Sequence, residues 1–247
     1  MIKFFRKIRQ NLLMENKTRK YYKYAIGEIT LVVIGILIAL QINNWNENQK
    51  LKSRTQDYYV QLIDDLNNDI ISTQSIIKEF SNHQKEYNNY ISSYDKKGLT
   101  PIKAYEQISK LALIYSPITF NTNTIESLQS SGDIGLIPSY IRNKLMNLTR
   151  LQKTTIKRFE DTGKGQLEIT QKLSGLLGAT TLPKRLVNQP EMKKFLNIDE
   201  NLKELILVYE GLHRWKSIAQ LESIDRLENI QKETGVIIEL INKEQNK

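Results

Sequence analysis

Between Ile29 and Ile42 fourteen consecutive residues carry no charge, and from Ala25 to Ile42 the only charged side chain is Glu28. Eighteen helical residues rise about 27 Å, close to the ~30 Å hydrocarbon core of a bilayer. Tyr21, Tyr22 and Tyr24 stand at one end of the run and Trp45 at the other, where amphipathic rings favour the headgroup level. The pattern predicts a membrane-spanning helix over residues 24–45, with the bilayer as the first partner. A cleaved signal peptide is the competing reading, since an uncharged core of this length also fits one. The long basic segment ahead of it speaks against cleavage, as does the absence of a small-x-small pattern in Ala39-Leu-Gln-Ile-Asn-Asn44.

Charge makes the span directional. Residues 1–23 carry Lys3, Arg6, Lys7, Arg9, Lys17, Arg19, Lys20 and Lys23 against Glu15 alone, whereas only Lys50, Lys52 and Arg54 follow the span closely. The positive-inside bias places 1–23 in the cytoplasm and 46–247 outside it, as in a single-pass inner-membrane protein with a periplasmic domain. Ile2, Phe5, Ile8 and Leu12 recur at helical spacing among the first cations. Residues 1–13 therefore read as an interfacial helix with Lys3, Arg6, Lys7 and Arg9 at lipid headgroups, or else as a disordered basic tail.

The net charge of +9 does not indicate nucleic acid. Residues 1–54 hold 11 basic and 3 acidic side chains, and residues 55–247 hold 25 and 24. The larger part is balanced, and the excess sits where anionic lipid attracts it. With no cysteine there is no disulfide or thiolate chemistry.

After the anchor the apolar period is helical. Ile63, Leu66, Ile70, Thr73, Ile77 and Phe80 alternate three and four, a run that continues through Gln84, Tyr87, Ile91 and Tyr94. It predicts one helix from Leu51 to Tyr94, stopped by Gly98 and Pro101. A second begins near Pro138, carries Gln152, Thr155 and Gln166 in its seam, and meets a potential kink at Gly163 and Gly165. A third runs from an Asp199 N-cap to about Asn242, with Leu212, Trp215, Ala219 and Leu221 on its buried side. Short helices over Ile102–Tyr115 and Thr124–Ser131, the latter capped by Asn123 with Glu126 three residues on, fill the first reversal. The expected fold is all-α: the spanning helix, then an elongated antiparallel bundle of three long helices joined by tight reversals. The polar seam residues predict partly solvated, coiled-coil-like layers.

Few residues suggest chemistry. Glu28, Gly35 and Ala39 fall within about 40° on a helix, an acid above a small-x-x-x-small contact pattern. An ionisable group inside a span is read by default as functional, either pairing with a membrane-protein partner or a second copy or serving as a proton site. A tolerated acid near the interface explains Glu28 equally simply, because it lies one turn inside Tyr24. Glu210-x-x-His213 has half the spacing of a di-metal bundle site, which is the route to an alternative, a metal-dependent enzyme. The other histidine, His83, is wrongly spaced to complete it, and solvated helix faces account for both. Asp64, Asp65 and Asp69 likewise read as a wet face. No phosphate loop, nucleophile elbow or paired histidine–cysteine pattern occurs. The chain is therefore expected to be a non-catalytic interaction, scaffold or sensor-accessory protein, without cofactor, metal or small-molecule substrate.

Tyr24-Ala-Ile-Gly-Glu-Ile-Thr-Leu-Val-Val-Ile-Gly-Ile-Leu-Ile-Ala-Leu-Gln-Ile-Asn-Asn-Trp-Asn-Glu47, with the basic arm before it, resembles the N-terminal signature of a bacterial family. That family comprises small single-span membrane proteins classed as a domain of unknown function. Glu126-Ser-Leu-Gln-Ser-Ser-Gly-Asp-Ile-Gly-Leu-Ile137 is a weaker second match, and Thr30 replaces an aliphatic residue. The resemblance implies an integral membrane protein with a helical soluble part, and it supplies no catalytic residues.

Overall fold

The structure, a computed structural model, describes residues 18–246 apart from 115, 178–181 and 198–200, and the side chains of 18–21, 183 and 184 are likewise not described. Lys3, Arg6, Lys7, Arg9, the Tyr21 side chain and the expected Asp199 cap lie outside the described set. The described residues are all-helical, without a strand. In order they form α1 (Thr18–Ile91), α2 (Pro101–Ile108), α3 (Asn123–Ser130), α4 (Ser139–Leu177), α5 (Leu182–Arg185), α6 (Pro190–Leu196) and α7 (Leu202–Gln245), with 3-10 turns at Ser92–Asp95 and Asp133–Leu136. The chain divides into two compact units, Met1–Asp57 and Tyr58–Lys247.

In the first unit the apolar run is helical throughout, and an 18-residue window of mean hydropathy 2.3 has none of its residues buried. This helix is long and apolar enough to cross a membrane. The helix does not end at Trp45, and α1 continues through to Ile91. No glycine or proline lies between residues 46 and 57, and the polar stretch is compatible with the helix. Lys50 Nζ pairs with Glu47 Oε1 at 3.1 Å, and the Thr55 hydroxyl donates to the Leu51 carbonyl at 2.8 Å.

The second unit is a helical bundle with two apolar clusters. One joins Tyr59, Leu62, Phe80, Ile141, Leu227 and Ile241, and includes the stacked rings of Phe80 and Phe159 with centroids 5.5 Å apart. The other joins Tyr87, Tyr90, Ile108, Leu173, Leu205 and Leu212. The expected tight first reversal is corrected here. After α2 the chain runs back along α1, as a series of hydrogen bonds records. Ser116 N donates to Glu79 (3.0 Å), Asn121 N to Asp69 (2.7 Å) and Thr124 N to Asp65 (3.2 Å), while Tyr58 Oη donates to Asp133 (2.8 Å).

This return sets α4 running in the same direction as α1, with Gln152 against Asp69 and Phe159 against Phe80. α7 opposes both: Thr73 meets Gln231 and Gln84 meets Gln220, and Lys144 pairs with Glu233 at 2.8 Å and Lys172 with Glu204 at 3.2 Å. A return of this length carries many unpaired backbone groups, and burial requires that they be satisfied. Side chains of the long helices meet that need.

Local boundaries follow ordinary stop and start chemistry. Pro138 precedes α4, and Thr100 caps α2 by accepting from Lys103 N at 3.4 Å. α3 differs from expectation: Thr122 occupies its N-cap position without a side-chain bond. The Thr124 amide is taken instead by Asp65 from α1, and a carboxylate suits a helix N-terminus. α4 passes through Gly163 and Gly165 unbroken.

Candidate functional site

Between the two apolar clusters the three long helices turn polar at the same level. α1 contributes His83 and Gln84, α4 contributes Gln166, and α7 contributes His213, Lys216, Ser217 and Gln220, all of them buried. Unpaired polar burial is costly, and most of these groups are spent on one another or on the returning segment. Ser217 Oγ donates to Gln84 Oε1 (2.7 Å). Gln84 Nε2 donates to the Ser217 carbonyl (3.1 Å) and to Gln220 Oε1 (3.2 Å). Gln166 Nε2 reaches the Leu113 carbonyl at 3.3 Å, and Lys216 Nζ donates to the Ala112 carbonyl.

At the centre His83 Nε2 and His213 Nδ1 lie 3.3 Å apart. Burial is the main cause that holds His83 down at about 4, with the Lys216 charge adding to it. Burial likewise holds His213 down at about 3, with His83 and Lys216 adding to it. Both rings are therefore neutral at physiological pH. The Gln220 side chain beside His83 and the Ile108 backbone beside His213 oppose this lowering without reversing it. Burial also lowers the Lys216 ammonium to about 8, against the opposing charges of Glu79 and Glu86.

An aromatic series continues from the histidines. Tyr209 stacks on His213 at 6.1 Å, His83 on Tyr87 at 6.4 Å and Tyr87 on Tyr90 at 6.3 Å. Tyr90 meets Tyr94 edge-on at 5.5 Å, and both hydroxyls donate to Glu210 Oε1, at 2.5 and 3.1 Å. Burial raises the Tyr90 phenol, and the Glu210 carboxylate raises it further. Burial pushes Tyr209 up to about 12. Tyr87 and Tyr209 are buried, whereas Tyr94 is half exposed.

Several expectations are corrected by this arrangement. The histidines do not sit on solvated faces: both are buried against each other. Glu210 and His213 face different partners, the tyrosine pair and His83, so the i,i+3 spacing does not assemble a shared site. Among the described residues no group of three or more His, Cys, Asp or Glu side chains is placed to hold a metal. The seam polar residues are dry rather than solvated, with Thr73, Gln84, Gln152, Thr155 and Gln166 all buried. Trp215 and Leu221 are half exposed instead of buried, because Lys216, Ser217 and Gln220 hold the inward phase of α7.

The acidic trio also divides. Asp64 is exposed, Asp65 is half-buried and Asp69 is buried. Asp69 accepts from Asn121 N (2.7 Å), Asn121 Nδ2 (2.9 Å) and Gln152 Nε2 (2.9 Å). Burial nevertheless holds its carboxyl above the usual range.

In the first unit, Glu28 is half-buried on α1, and Gly35 and Ala39 are exposed. A Cβ at Gly35 would meet nothing within 4 Å, so that backbone is open to a close neighbour. Tyr22, Tyr24 and Trp45 are exposed. The Thr30 hydroxyl donates to the Ile26 carbonyl at 2.9 Å, which removes its polar cost from the apolar run.

A family profile described as a family of unknown function (DUF6090) matches residues 28–170. No curated protein and no solved structure matches the chain.

Proposed function

The chain belongs to the DUF6090 family of unknown function, and from that premise we propose that it is a single-span envelope protein that works by interaction rather than catalysis. The basic arm stays cytoplasmic, residues 24–45 act as an uncleaved signal anchor, and the bundle stands on the extracytoplasmic side of a bacterial inner membrane. Its three long helices, with coiled-coil-like seams, serve as a scaffold or as an accessory to a membrane sensor. The observation that carries this reading is the unburied apolar window of α1. A helix that buries none of so apolar a surface within its own chain requires lipid or another protein to cover it.

Glu28, Gly35 and Ala39 supply the contact face within the span. An acid one turn inside the tyrosines tolerates the interface, and small residues permit a second backbone to approach. The partner is another membrane protein or a second copy of this chain. Tyr21, Tyr22, Tyr24 and Trp45 set the depth, and Lys3, Arg6, Lys7 and Arg9 meet lipid headgroups.

Because the chain has no cysteine, single-cysteine variants report topology directly. Ser53→Cys should react with an impermeant maleimide in spheroplasts, and Lys17→Cys only after lysis, with both proteins resisting alkaline extraction from membranes. Extraction at alkaline pH, or the opposite labelling pattern, would refute the reading.

A further inference from the structure

The connection between α4 and α7 lies at the end of the bundle remote from Tyr58, beside the Lys172–Glu204 pair. Leu186 is buried and ties this connection to the unit, while Val187, Met192, Phe195 and Leu196 remain exposed, Phe195 at 83%. α6 has no buried residue. It is nonetheless a formed helix. Lys193 N donates to the Gln189 carbonyl at 2.9 Å, and Asn197 ends the helix in the left-handed region at φ 52°.

At 100° per residue, Met192, Phe195 and Leu196 fall on one side of α6 and Lys193 and Lys194 on the other. From Leu182 to Asn197 the sequence carries Lys184, Arg185, Lys193 and Lys194 against Glu191 alone. An apolar face that no described residue of the unit covers, backed by cations, is the composition of a helix that lies in a lipid interface. A contact between two copies would bring these like-charged tips together, which disfavours it, whereas an anionic surface is complementary.

We propose that the 182–197 tip docks on an anionic lipid surface, with Val187, Met192, Phe195 and Leu196 in the headgroup boundary and Arg185, Lys193 and Lys194 at phosphate level. Each cation near such a surface contributes about 1 kcal/mol of attraction, which salt screens.

The test uses the full chain in nanodiscs of phosphatidylcholine, with an environment-sensitive NBD fluorophore on Asn188→Cys. Separate vesicles containing phosphatidylglycerol should produce brighter, blue-shifted emission that high salt reverses. Phosphatidylcholine vesicles should produce none. Phe195→Ser with Met192→Ser should abolish the shift, as should Lys193→Glu with Lys194→Glu; all four side chains are exposed, so circular dichroism should be unchanged. The proposal is overturned by no shift, by an equal shift with phosphatidylcholine vesicles or by a shift retained in both double variants. A shift that grows with protein concentration alone would assign the tip to self-association instead. Recovery of the chain in nanodiscs tests the span and the emission tests the tip, so the two readings fail separately.

Discussion

His83 Nε2 lies 3.3 Å from His213 Nδ1 across the α1–α7 contact, so one imidazole donates and the other accepts, and the accepting ring must be neutral. The pair sits at the level where the long helices exchange apolar for polar contacts. It binds the bundle through a charge state rather than through area alone.

Stability should therefore depend on pH in a defined window. Folding lowers both histidines from 6.5, to about 4 and about 3, so the native state binds fewer protons than the unfolded chain below that value. Their stabilisation is complete above about pH 6.5 and is lost as the pH falls toward 4. At 1.36 kcal/mol per unit, His83 alone removes about 3 kcal/mol over that range. Asp69 has the opposite sign: its carboxyl is held above 3.8, so acid favours its native form. Urea denaturation at pH 7.5, 6 and 4.5 should show the decline, and His83→Asn with His213→Asn should flatten it. An unchanged slope in that double variant would exclude the pair as the cause.

Asp69 holds the returning segment against α1. Asp69→Ala strands the Asn121 amide, the Asn121 side chain and Gln152, and should cost about 3 kcal/mol. Asp69→Asn keeps one acceptor oxygen and relieves the buried charge, so it should cost less. The denaturation midpoints of the two variants provide the comparison, and equal losses would contradict the assignment.

Lys216 carries a penalty at neutral pH, since burial lowers its ammonium from 10.5 to about 8. A base lowered on folding destabilises most below its native value, and the penalty fades as the pH rises from 8 toward 10.5. Lys216→Met removes the charge at similar volume and should be within about 1 kcal/mol of the native chain at pH 7, since the Ala112 carbonyl loses its donor. The rise in stability between pH 8 and 10 should disappear in that variant. Its persistence would show that another group is titrating.

Glu28→Leu and Gly35→Leu should each reduce recovery of the membrane partner, or of the homo-oligomer, after crosslinking in native membranes. Leucine at 35 fills an open backbone position, and leucine at 28 removes the acid from the same face. Both variants should still insert. Undiminished complexes in both would move the contact off this face.

The helical class, the apolar stretch of α1 and the phase of the core in α4 were legible because they rest on local periodicity. In α4 the seam residues Gln152, Thr155 and Gln166 are buried as their spacing predicts, in phase with Ile141, Leu145 and Leu173. α1 kept only half of its expected run: Leu66, Thr73, Phe80 and Tyr87 are buried, Ile91 and Tyr94 are exposed, and Leu62, Asp69, Ile76, His83 and Tyr90 complete the buried stripe instead. The histidine layer was not legible. Hydrophobic periodicity sees no reason to place His213, Lys216, Ser217 and Gln220 inward, so Trp215 and Leu221 drew the expected face of α7 outward. The available signal was the gap in the apolar phase between Leu212 and Leu227, filled by polar residues at helical intervals.

By itself the sequence determined that the chain is helical and that one stretch of it is long and apolar enough to cross a membrane, since both follow from composition and spacing along a single helix. Only the tertiary structure decided that α4 runs with α1, that Asp65 and Asp69 hold the return between them, and that His83 meets His213. These are contacts across 52 to 130 residues. Whether a polar side chain is solvated or paired depends on what another helix brings to it, and local periodicity carries no record of that neighbour.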